Sequence, residues 1–245
     1  MFLILAMVAW SYKLAATRPV LARVFMLLVV VLLSSATWER NSVWANRISF
    51  WSDVTGKSPN SMRGWANLGN AYSEARKYKT AEQYLLRAIA LEKNDQSGNF
   101  GRSAKRKYTA NIHDNLALVY RELRQYQKAI DHANLALALN PSRPDPLVTL
   151  GIVYAKTDQH AKAYEYFLLA WSKGIENVDL YNNWAVSSFQ LDRTDEAIEL
   201  LHKALKIDPD HPESHYNLGI AYSSKGMLEE AQLEMLRAMR LRQKQ

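Results

Sequence analysis

The histidines and the adjacent residues Glu229 and Glu230 are the first places in this chain to look for catalysis or metal binding. His211 and His215 are four residues apart, a spacing that places two imidazoles on one face of a helix. Pro212 lies between them, and no acidic residue follows at the spacing of a metal site. We expect Pro212 to begin a helix, His211 to lie at its boundary, and the histidines in general to be solvated or capping residues. Glu229 and Glu230 fit the exposed first turn of a helix.

The remaining composition argues against other chemistries. The 245 residues include no Cys, which excludes disulfides and thiolate metal sites. No Ser/His/Asp order, Gly-rich phosphate loop or paired-carboxylate motif stands out. The formal charge of +7 does not form a basic stripe along one face, as a nucleic-acid binder would show. We therefore predict no enzymatic activity, no metal, no cofactor, no small-molecule substrate and no nucleic acid for this chain.

Asparagines recur at one position and form a candidate binding site. A side-chain amide both donates and accepts hydrogen bonds, so a row of amides can hold the backbone of an extended peptide without reading its side chains. An alternative is that these asparagines only serve the fold. The candidate groove residues are Asn67, Asn115, Asn183 and Asn217, with Thr149 at the corresponding place, and Asn70, Arg63 and Arg121 beside them.

The elements that must position these amides follow from a repeated pattern of small residues. A Gly or Ala recurs every 34 residues from Ala117 onward, after one longer step of 48 residues from Gly69. A period of this length predicts hairpins of two helices that approach closely at the small residues. The pattern has three sets of small residues: the second set follows the first by 12 residues, and the third follows the second by 7 residues. The sets are Gly69, Ala117, Gly151, Ala185, Gly219; Ala81, Ala129, Ala163, Ala197, Ala231; and Ala88, Ala136, Ala170, Ala204, Ala238.

This pattern resembles the tetratricopeptide repeat, with its small residues at repeat positions 8, 20 and 27. The resemblance implies an all-α fold, a right-handed α-solenoid of helix-turn-helix units over residues 62–245. Asp192 and Gly226 would form turns between paired helices, and Pro141 and Pro209 would close two repeats. The expected repeats are 62–95, 110–143, 144–177, 178–211 and 212–245, with an insertion at 96–109.

The resemblance also implies where a ligand would bind. Repeat positions 2, 5, 6, 9 and 13 of each first helix would line an inner groove, and the asparagines hold position 6. This arrangement resembles the asparagine ladder of nucleocytoplasmic O-linked N-acetylglucosamine transferase. Ala66 stands where the carboxylate clamp of chaperone-binding arrays needs a lysine, which argues against that mode. We therefore expect a protein or peptide ligand in the groove.

Residues 1–38 are predicted to be a membrane anchor of one or two apolar transmembrane helices. The segment Pro19–Trp38 is long enough to cross a bilayer of ~30 Å, with Trp38 at the interface. Residues 1–12 are also apolar but short for a span, so the sequence leaves open whether they cross.

The charges near the N-terminus predict the orientation. Lys13, Arg18 and Arg23 precede the strongest apolar run, and the positive-inside tendency places them in the cytoplasm. The repeats would then lie on the periplasmic or luminal side of the membrane. A signal peptide cleaved after Ala36 is an alternative, and it would export the repeats as well.

Residues 39–61 link the two parts and carry a second resemblance. We expect a lone helix over 40–56 that caps the array, or else an amphipathic helix on the membrane surface. The junction sequences RNSVW and FWSDVTGKSPNSMRGWANLG resemble the C-terminal end of membrane O-mannosyltransferase-like proteins with repeat tails. In those proteins the catalytic acids lie upstream of the matching part, so no catalytic residue is carried over. The sequence fits either a fragment or a stand-alone relative of such a tail.

The insertion at 96–109 has a locally strong basic cluster. Gly98 and Gly101 are expected to break helices, which favours a solvated loop. The alternative is contact with acidic headgroups or an acidic partner through Arg102, Lys105, Arg106 and Lys107.

Together these features predict a membrane-anchored repeat scaffold that mediates protein–protein interaction outside the cytoplasm. Two further hypotheses are the acceptor-binding tail of a membrane O-glycosyltransferase system and an assembly factor of an envelope complex such as a pilus or secretion machine.

Overall fold

The computed structural model describes residues 18–44, 46–94 and 101–244. These residues form helices and no strand, and they divide into two compact units, Met1–Pro59 and Asn60–Gln245. The helices are α1 (Pro19–Val43), α2 (Arg47–Lys57), α3 (Met62–Glu74), α4 (Tyr78–Asn94), α5 (Arg102–Glu122), α6 (Tyr126–Leu139), α7 (Asp145–Lys156), α8 (His160–Ser172), α9 (Val178–Gln190), α10 (Thr194–Ile207), α11 (Pro212–Ser224) and α12 (Leu228–Arg242).

The first unit contains α1 and α2. The lone helix expected over 40–56 is instead divided, because α1 continues to Val43 and α2 begins at Arg47. The division has a local cause: the side chain of Asn46 accepts a hydrogen bond from the Ser49 N–H at 2.8 Å and caps a new helix. Whether α2 caps the array stays a prediction.

The described part of α1 exposes most of its large apolar side chains, but it does not confirm a transmembrane span. Leu27, Leu32 and Leu33 are 65%, 66% and 63% exposed. Across the described ranges, none of the helices combines the length and the apolar character required to traverse a bilayer. Residues 1–12 and Lys13 lie outside the described residues, so the second expected apolar helix does too.

The second unit is built from five hairpins, α3–α4 through α11–α12, each joined by the same turn. The residue at repeat position 15 has a left-handed backbone in every hairpin, with φ between 57° and 76°. The next N–H donates back to the carbonyl of position 11, for example from Lys77 to Tyr72 at 2.9 Å and from Met227 to Tyr222 at 3.0 Å. This is the hydrogen-bond pattern of a helix C-cap. The position-15 residues are Arg76, Arg124, Asp158, Asp192 and Gly226.

The small residues lie where the two helices of a hairpin cross. A Cβ added to Gly151 would stand 2.5 Å from Cε1 of Phe167, and one added to Gly69 would stand 2.7 Å from Cγ of Leu85. The alanines that follow in the pattern are buried, as Ala81 and Ala197 illustrate with 0% exposure. The expected close helix crossings are therefore confirmed.

The arrangement of the hairpins distinguishes the inner face of the array. Each first helix packs against the first helix of the next repeat, so that α3, α5, α7, α9 and α11 form a continuous row. Among the described helices, the second helices of neighbouring repeats lie further from one another than the first helices do. The array therefore curves with the first helices on its inner side, and we call that side the inner face.

The insertion differs from the expectation. Gly101 is the N-cap of α5, which begins at Arg102, so residues 102–109 extend the first helix of the second repeat. They are helical because the segment after Gly101 contains no further Gly or Pro before Glu122. The solvated loop expected for the whole insertion is wrong for these residues, and residues 96–100 lie outside the description.

Candidate functional site

The four asparagines of repeat position 6 lie on four of the five first helices of the array. Asn67, Asn115, Asn183 and Asn217 are all half-buried, on α3, α5, α9 and α11. Thr149 interrupts the row on α7 and is buried, with 3% exposure. Because consecutive first helices pack together, the amides follow one another along the inner face. We call the four asparagines the ladder.

Two ladder amides already donate hydrogen bonds within the protein. Asn183 Nδ2 donates to the backbone carbonyl of Asp179 at 2.8 Å, and Asn217 Nδ2 donates to Oδ1 of Asn182 at 2.9 Å. Their side chains are thus fixed by the protein, each with one amide hydrogen committed. An amide has two N–H donors and one acceptor oxygen, so each of these side chains retains groups for a ligand.

The second of these bonds belongs to a polar link between repeats that the sequence did not indicate. Asn182 is 8% exposed, and its Oδ1 accepts from both Asn217 Nδ2 and Ser214 Oγ, the latter at 3.2 Å. The link joins α9 to α11. Buried polar groups need such partners, because an unpaired one would cost free energy on folding.

The other residues expected in the groove have mixed surroundings. Asn70 is half-buried, and its Oδ1 is buried with no hydrogen-bond partner among the described residues. Arg63 is exposed, and its carbonyl accepts from the Tyr108 hydroxyl at 3.5 Å. Arg121 Nε donates to Oε1 of its neighbour Glu122 at 2.9 Å. None of these contacts by itself identifies a ligand.

A small pocket opens between α9 and α11, beside the ladder. Its volume is about 90 Å³, and Asn217 contributes the amide at its edge. Ala197 and Leu201 of α10 close it from behind, since α10 is the second helix of the fourth repeat. The remaining lining residues are Ala185, Val186, Phe189, Gln190, Ile220 and Ala221. Val186 and Ile220 hold repeat position 9, which the resemblance had assigned to the groove.

The basic cluster has a structural role that the sequence did not indicate. Lys105 Nζ donates to the carbonyl of Glu92 at 3.1 Å, near the end of α4. Arg106 donates to the carbonyl of Ala138 at 2.8 Å, near the end of α6. Both cations therefore satisfy carbonyls at the negative ends of helices. Lys107 is exposed, and the backbone of Arg102 begins α5.

An ionic cluster around the buried Asp114 connects the second and third repeats. Arg143 contacts Asp114 Oδ2 at 3.1 Å, Asp145 Oδ2 at 2.9 Å and Asn111 Oδ1 at 2.5 Å. Asp114 is 2% exposed, and burial raises its pKa to about 6. Arg143 opposes this rise and Asp145 adds to it. Burial has the larger effect on this pKa, because the free energy lost when the carboxylate leaves water exceeds the free energy gained from attraction to one partly exposed guanidinium.

Three histidines are more buried than expected. His113 Nδ1 and His132 Nδ1 lie 2.8 Å apart, a contact in which one ring donates and the other accepts. Burial and the neighbouring His113 lower the pKa of His132 to about 4. His215 is 6% exposed, and its Nδ1 lies 2.5 Å from Glu234 Oε2. The expectation of solvated or capping histidines is wrong for these three.

The contact of His211 agrees with the sequence. His211 is the N-cap of α11, and its Nδ1 accepts from the Ser214 N–H at 3.2 Å, as expected for a helix boundary. In the part of the chain that the structure describes, no three His, Asp or Glu side chains converge as metal ligands do.

Comparison with known proteins identifies the repeats. Models of the tetratricopeptide repeat match residues 65–98 and 212–245, and a model of the TPR repeat matches 187–226. The model of the anaphase-promoting complex, cyclosome, subunit 3, matches residues 122–204. These matches confirm that the chain contains tetratricopeptide repeats.

Similar proteins give the same fold. The human protein O-mannosyl-transferase TMTC3 is 23% identical over 90% of this chain, which spans only 28% of that protein's length. The structure of the APC/C hetero-tetramer Cut9-Hcn1 covers 95% of this chain and 42% of its own, with a TM-score of 0.68 and 16% identity. YrrB, a TPR protein with an unusual peptide-binding site, covers 78% of this chain and 91% of its own, with a TM-score of 0.53 and 20% identity. The resemblance of the junction to O-mannosyltransferase-like proteins is thus confirmed as similarity.

Proposed function

We propose that this chain, an array of tetratricopeptide repeats, is a scaffold that binds an extended segment of a partner protein along its inner face. The observation that carries the proposal is the ladder. Asn183 and Asn217 are held by hydrogen bonds within the array, yet each keeps a carbonyl oxygen and a second N–H for a ligand. Amides fixed in this way lose little conformational freedom on binding, which favours affinity. The similarity to YrrB, described as having a peptide-binding site, supports the proposal.

The test is capture of partners from detergent-solubilised membranes of the source organism. Replacing Asn183 and Asn217 together with Ala removes two hydrogen bonds to the ligand, each worth ~0.5–1.5 kcal/mol. We expect about a tenfold loss of partner retention, because 1.4 kcal/mol corresponds to a factor of ten. Folding should survive, since Asn182 keeps the Ser214 hydroxyl as a donor.

The control for this test has to be a surface change without a structural role. Lys107→Ala meets that condition, whereas Lys105 and Arg106 bond to helix ends and would disturb the fold. Thermal melts of all variants should agree within a few degrees. If the ladder variant keeps its partners while its melt is unchanged, the inner face is not the binding surface and the proposal fails.

We further propose that α1 holds the array at a membrane, with the repeats on the periplasmic or luminal side. The support is the apolar surface of α1: the side chains of Val20, Leu27 and Leu32 are each at least 65% exposed, and water is an unfavourable surrounding for so much apolar area. The cations ahead of the apolar run favour the stated orientation.

Two measurements test this anchoring. The full chain should float with phospholipid vesicles, and the double change Leu27→Glu and Leu32→Glu should leave it in the dense fraction. A reporter that is active only in the exported compartment, fused after Gln245, should be active. Vesicle binding by the double variant would refute the anchor, and activity of a cytoplasmic reporter alone would refute the orientation.

A second candidate function follows from the similarity to TMTC3 over 90% of the chain. Under this proposal the array binds acceptor proteins for a membrane O-mannosyltransferase whose catalytic part lies elsewhere. Deleting residues 60–245 should then reduce O-linked mannose on specific exported proteins, as measured by mass spectrometry of glycopeptides. Unchanged glycopeptides, together with lost partner capture, would favour the plain scaffold.

A further inference from the structure

The pocket between α9 and α11 has a size that selects among side chains. Its volume of about 90 Å³ is smaller than the ~150 Å³ of an apolar cavity that accepts benzene. Apart from Asn217 and Gln190, its lining is apolar. An aliphatic side chain fits such a space, whereas an aromatic ring exceeds it. The Asn217 amide at the edge lies where the backbone of the same ligand residue would pass.

The inner face is acidic at the N-terminal ends of the two first helices that line this pocket. Repeat position 2 holds a carboxylate on three consecutive first helices, Asp145, Asp179 and Glu213. Asp145 pairs with Arg143, but Asp179 and Glu213 are exposed and form no salt bridge with a lysine or arginine among the described residues. His211 Nε2 is 3.5 Å from Glu213. We call Asp179 and Glu213 the acidic edge.

No cation from the first helices balances this edge. The inner-face positions of α9 and α11 hold no Lys or Arg: they are Asp179, Asn182, Asn183, Val186, Gln190, Glu213, Tyr216, Asn217, Ile220 and Ser224. Arg242 of α12 reaches this face and keeps its positive charge over the Tyr216 ring, 5.2 Å from the centroid, but among the described residues it forms no ion pair with Glu213. A ligand with a positive charge therefore complements this part of the face.

From the pocket, the ladder and the acidic edge we infer that the fourth and fifth repeats bind an extended segment in which an aliphatic side chain is flanked by lysine or arginine. The aliphatic group enters the pocket, the backbone meets Asn183 and Asn217, and the cation faces the acidic edge. This inference rests on the proposed scaffold function and specifies the chemistry of its partner.

The experiment selects ligands without assuming a partner. The full chain, held in lipid nanodiscs, is screened against a displayed library of random ten-residue peptides, and enriched peptides are synthesised with a fluorescent label for titration. We expect enriched peptides to combine Leu, Ile, Val or Met with Lys or Arg nearby. Affinity should fall as salt is raised, because the edge is exposed and its charges are screened.

Matched variants then divide the contributions. Asp179→Asn with Glu213→Gln keeps the shape of the edge and removes its charge, and it should weaken these peptides roughly fivefold. Glu199→Gln with Glu229→Gln removes two exposed carboxylates from second helices and should change affinity less than twofold. Val186→Phe narrows the pocket and should weaken peptides with an aliphatic residue more than their Ala-substituted versions.

The outcomes separate this inference from the proposed function. The charge and pocket assignment is wrong if enriched peptides lack cations, or if they bind the edge variant as tightly as the unchanged chain. If Asn183→Ala with Asn217→Ala still weakens those peptides, the scaffold function stands. If no peptide is enriched, or the ladder variant binds all enriched peptides unchanged, the inner face does not bind peptides and both proposals fail.

Discussion

Gly151→Ala is the change that most directly tests how the array is packed. Gly151 lies on α7, and an added Cβ would stand 2.5 Å from Cε1, 2.7 Å from Cδ1 and 2.9 Å from Cζ of Phe167. Phe167 on α8 is fully buried, so its ring cannot turn into solvent. Real Cβ contacts are not that short, and either the ring or the crossing of the two helices must shift.

Two opposing effects set the magnitude. Ala favours a helix over Gly by ~1 kcal/mol, which would stabilise the folded chain. Overpacking of a buried site costs ~1–3 kcal/mol, and contact with three atoms of one rigid ring argues for the upper half of that range. We therefore expect a net loss of ~1–2 kcal/mol in the free energy of unfolding. Gly56→Ala on α2 meets nothing within 4 Å, so it should show only the helix gain.

Urea denaturation of the full chain, in one detergent throughout, measures both variants. Phe167→Leu should relieve the clash, so the double variant with Gly151→Ala should lose less than the sum of the single losses. Gly219→Ala should also destabilise the array, because the added Cβ would stand 2.8 Å from Cγ of Met235 and 3.0 Å from the backbone oxygen of Ala231. A Gly151→Ala variant at least as stable as the unchanged chain, or additive with Phe167→Leu, would refute the packing argument.

The remaining predictions concern buried and capping charges. The pKa of Asp114 is raised from 3.8 to about 6, so its contribution to stability is full below pH 3.8 and is lost as pH rises through 6. The loss of stability between these pH values is about 3 kcal/mol, at 1.36 kcal/mol per pKa unit, and Asp114→Asn should remove it. Urea denaturation midpoints at pH 4 and pH 8 measure the difference. An unchanged pH dependence of stability in Asp114→Asn would contradict the assignment. Arg106→Gln removes a bond to the Ala138 carbonyl and should cost ~1 kcal/mol, whereas Lys107→Gln should cost almost nothing; equal effects would show that Arg106 does not cap α6.

The repeat and its crossings could be predicted because they depend on residue type at a fixed spacing. Gly151 and Ala197 are small for the same reason, close approach of two helices, and the pattern shows this without coordinates. The turns could be predicted only in part. Gly226 and Asp192 are typical turn residues, but Arg76 and Arg124 adopt the same left-handed backbone and carry no local signal. They adopt it because the packing of the hairpin overrides local preference.

The candidate site was predicted at the level of its helices rather than its contacts. The ladder asparagines lie on first helices as the repeat pattern requires, but the bond from Asn217 to Asn182 depends on which residue the preceding repeat places opposite. The same holds for Lys105 and Arg106, whose spacing suggested a solvated charge cluster. Their helix-end partners are 13 and 32 residues away in sequence, a distance at which local patterns carry no information.

The fourth repeat keeps the fold although two of its buried residues differ from those of the other repeats. Trp184 stands where the other repeats have Leu, and Ser188 stands where they have Tyr. Both are buried, with 5% and 0% exposure, and the Trp184 ring packs edge-on against Tyr164 with centroids 5.6 Å apart. The larger residue at one position offsets part of the volume that is lost at the other, one turn later.

Repeat position 5 varies in chemistry even though it is buried in four of the five repeats. Across the five repeats it holds Ala66, Asp114, Val148, Asn182 and Tyr216, which include apolar, acidic, amide and aromatic groups. Position 6, in contrast, is an amide in four repeats of five. Position 2 is exposed in four repeats of five and holds Arg63, Asn111, Asp145, Asp179 and Glu213, so a backbone held by the constant amides would meet a different charge from repeat to repeat. Under the proposed scaffold function, selectivity for a partner would follow from the variable positions, and the pocket and acidic edge of the fourth and fifth repeats would then define one class of segment.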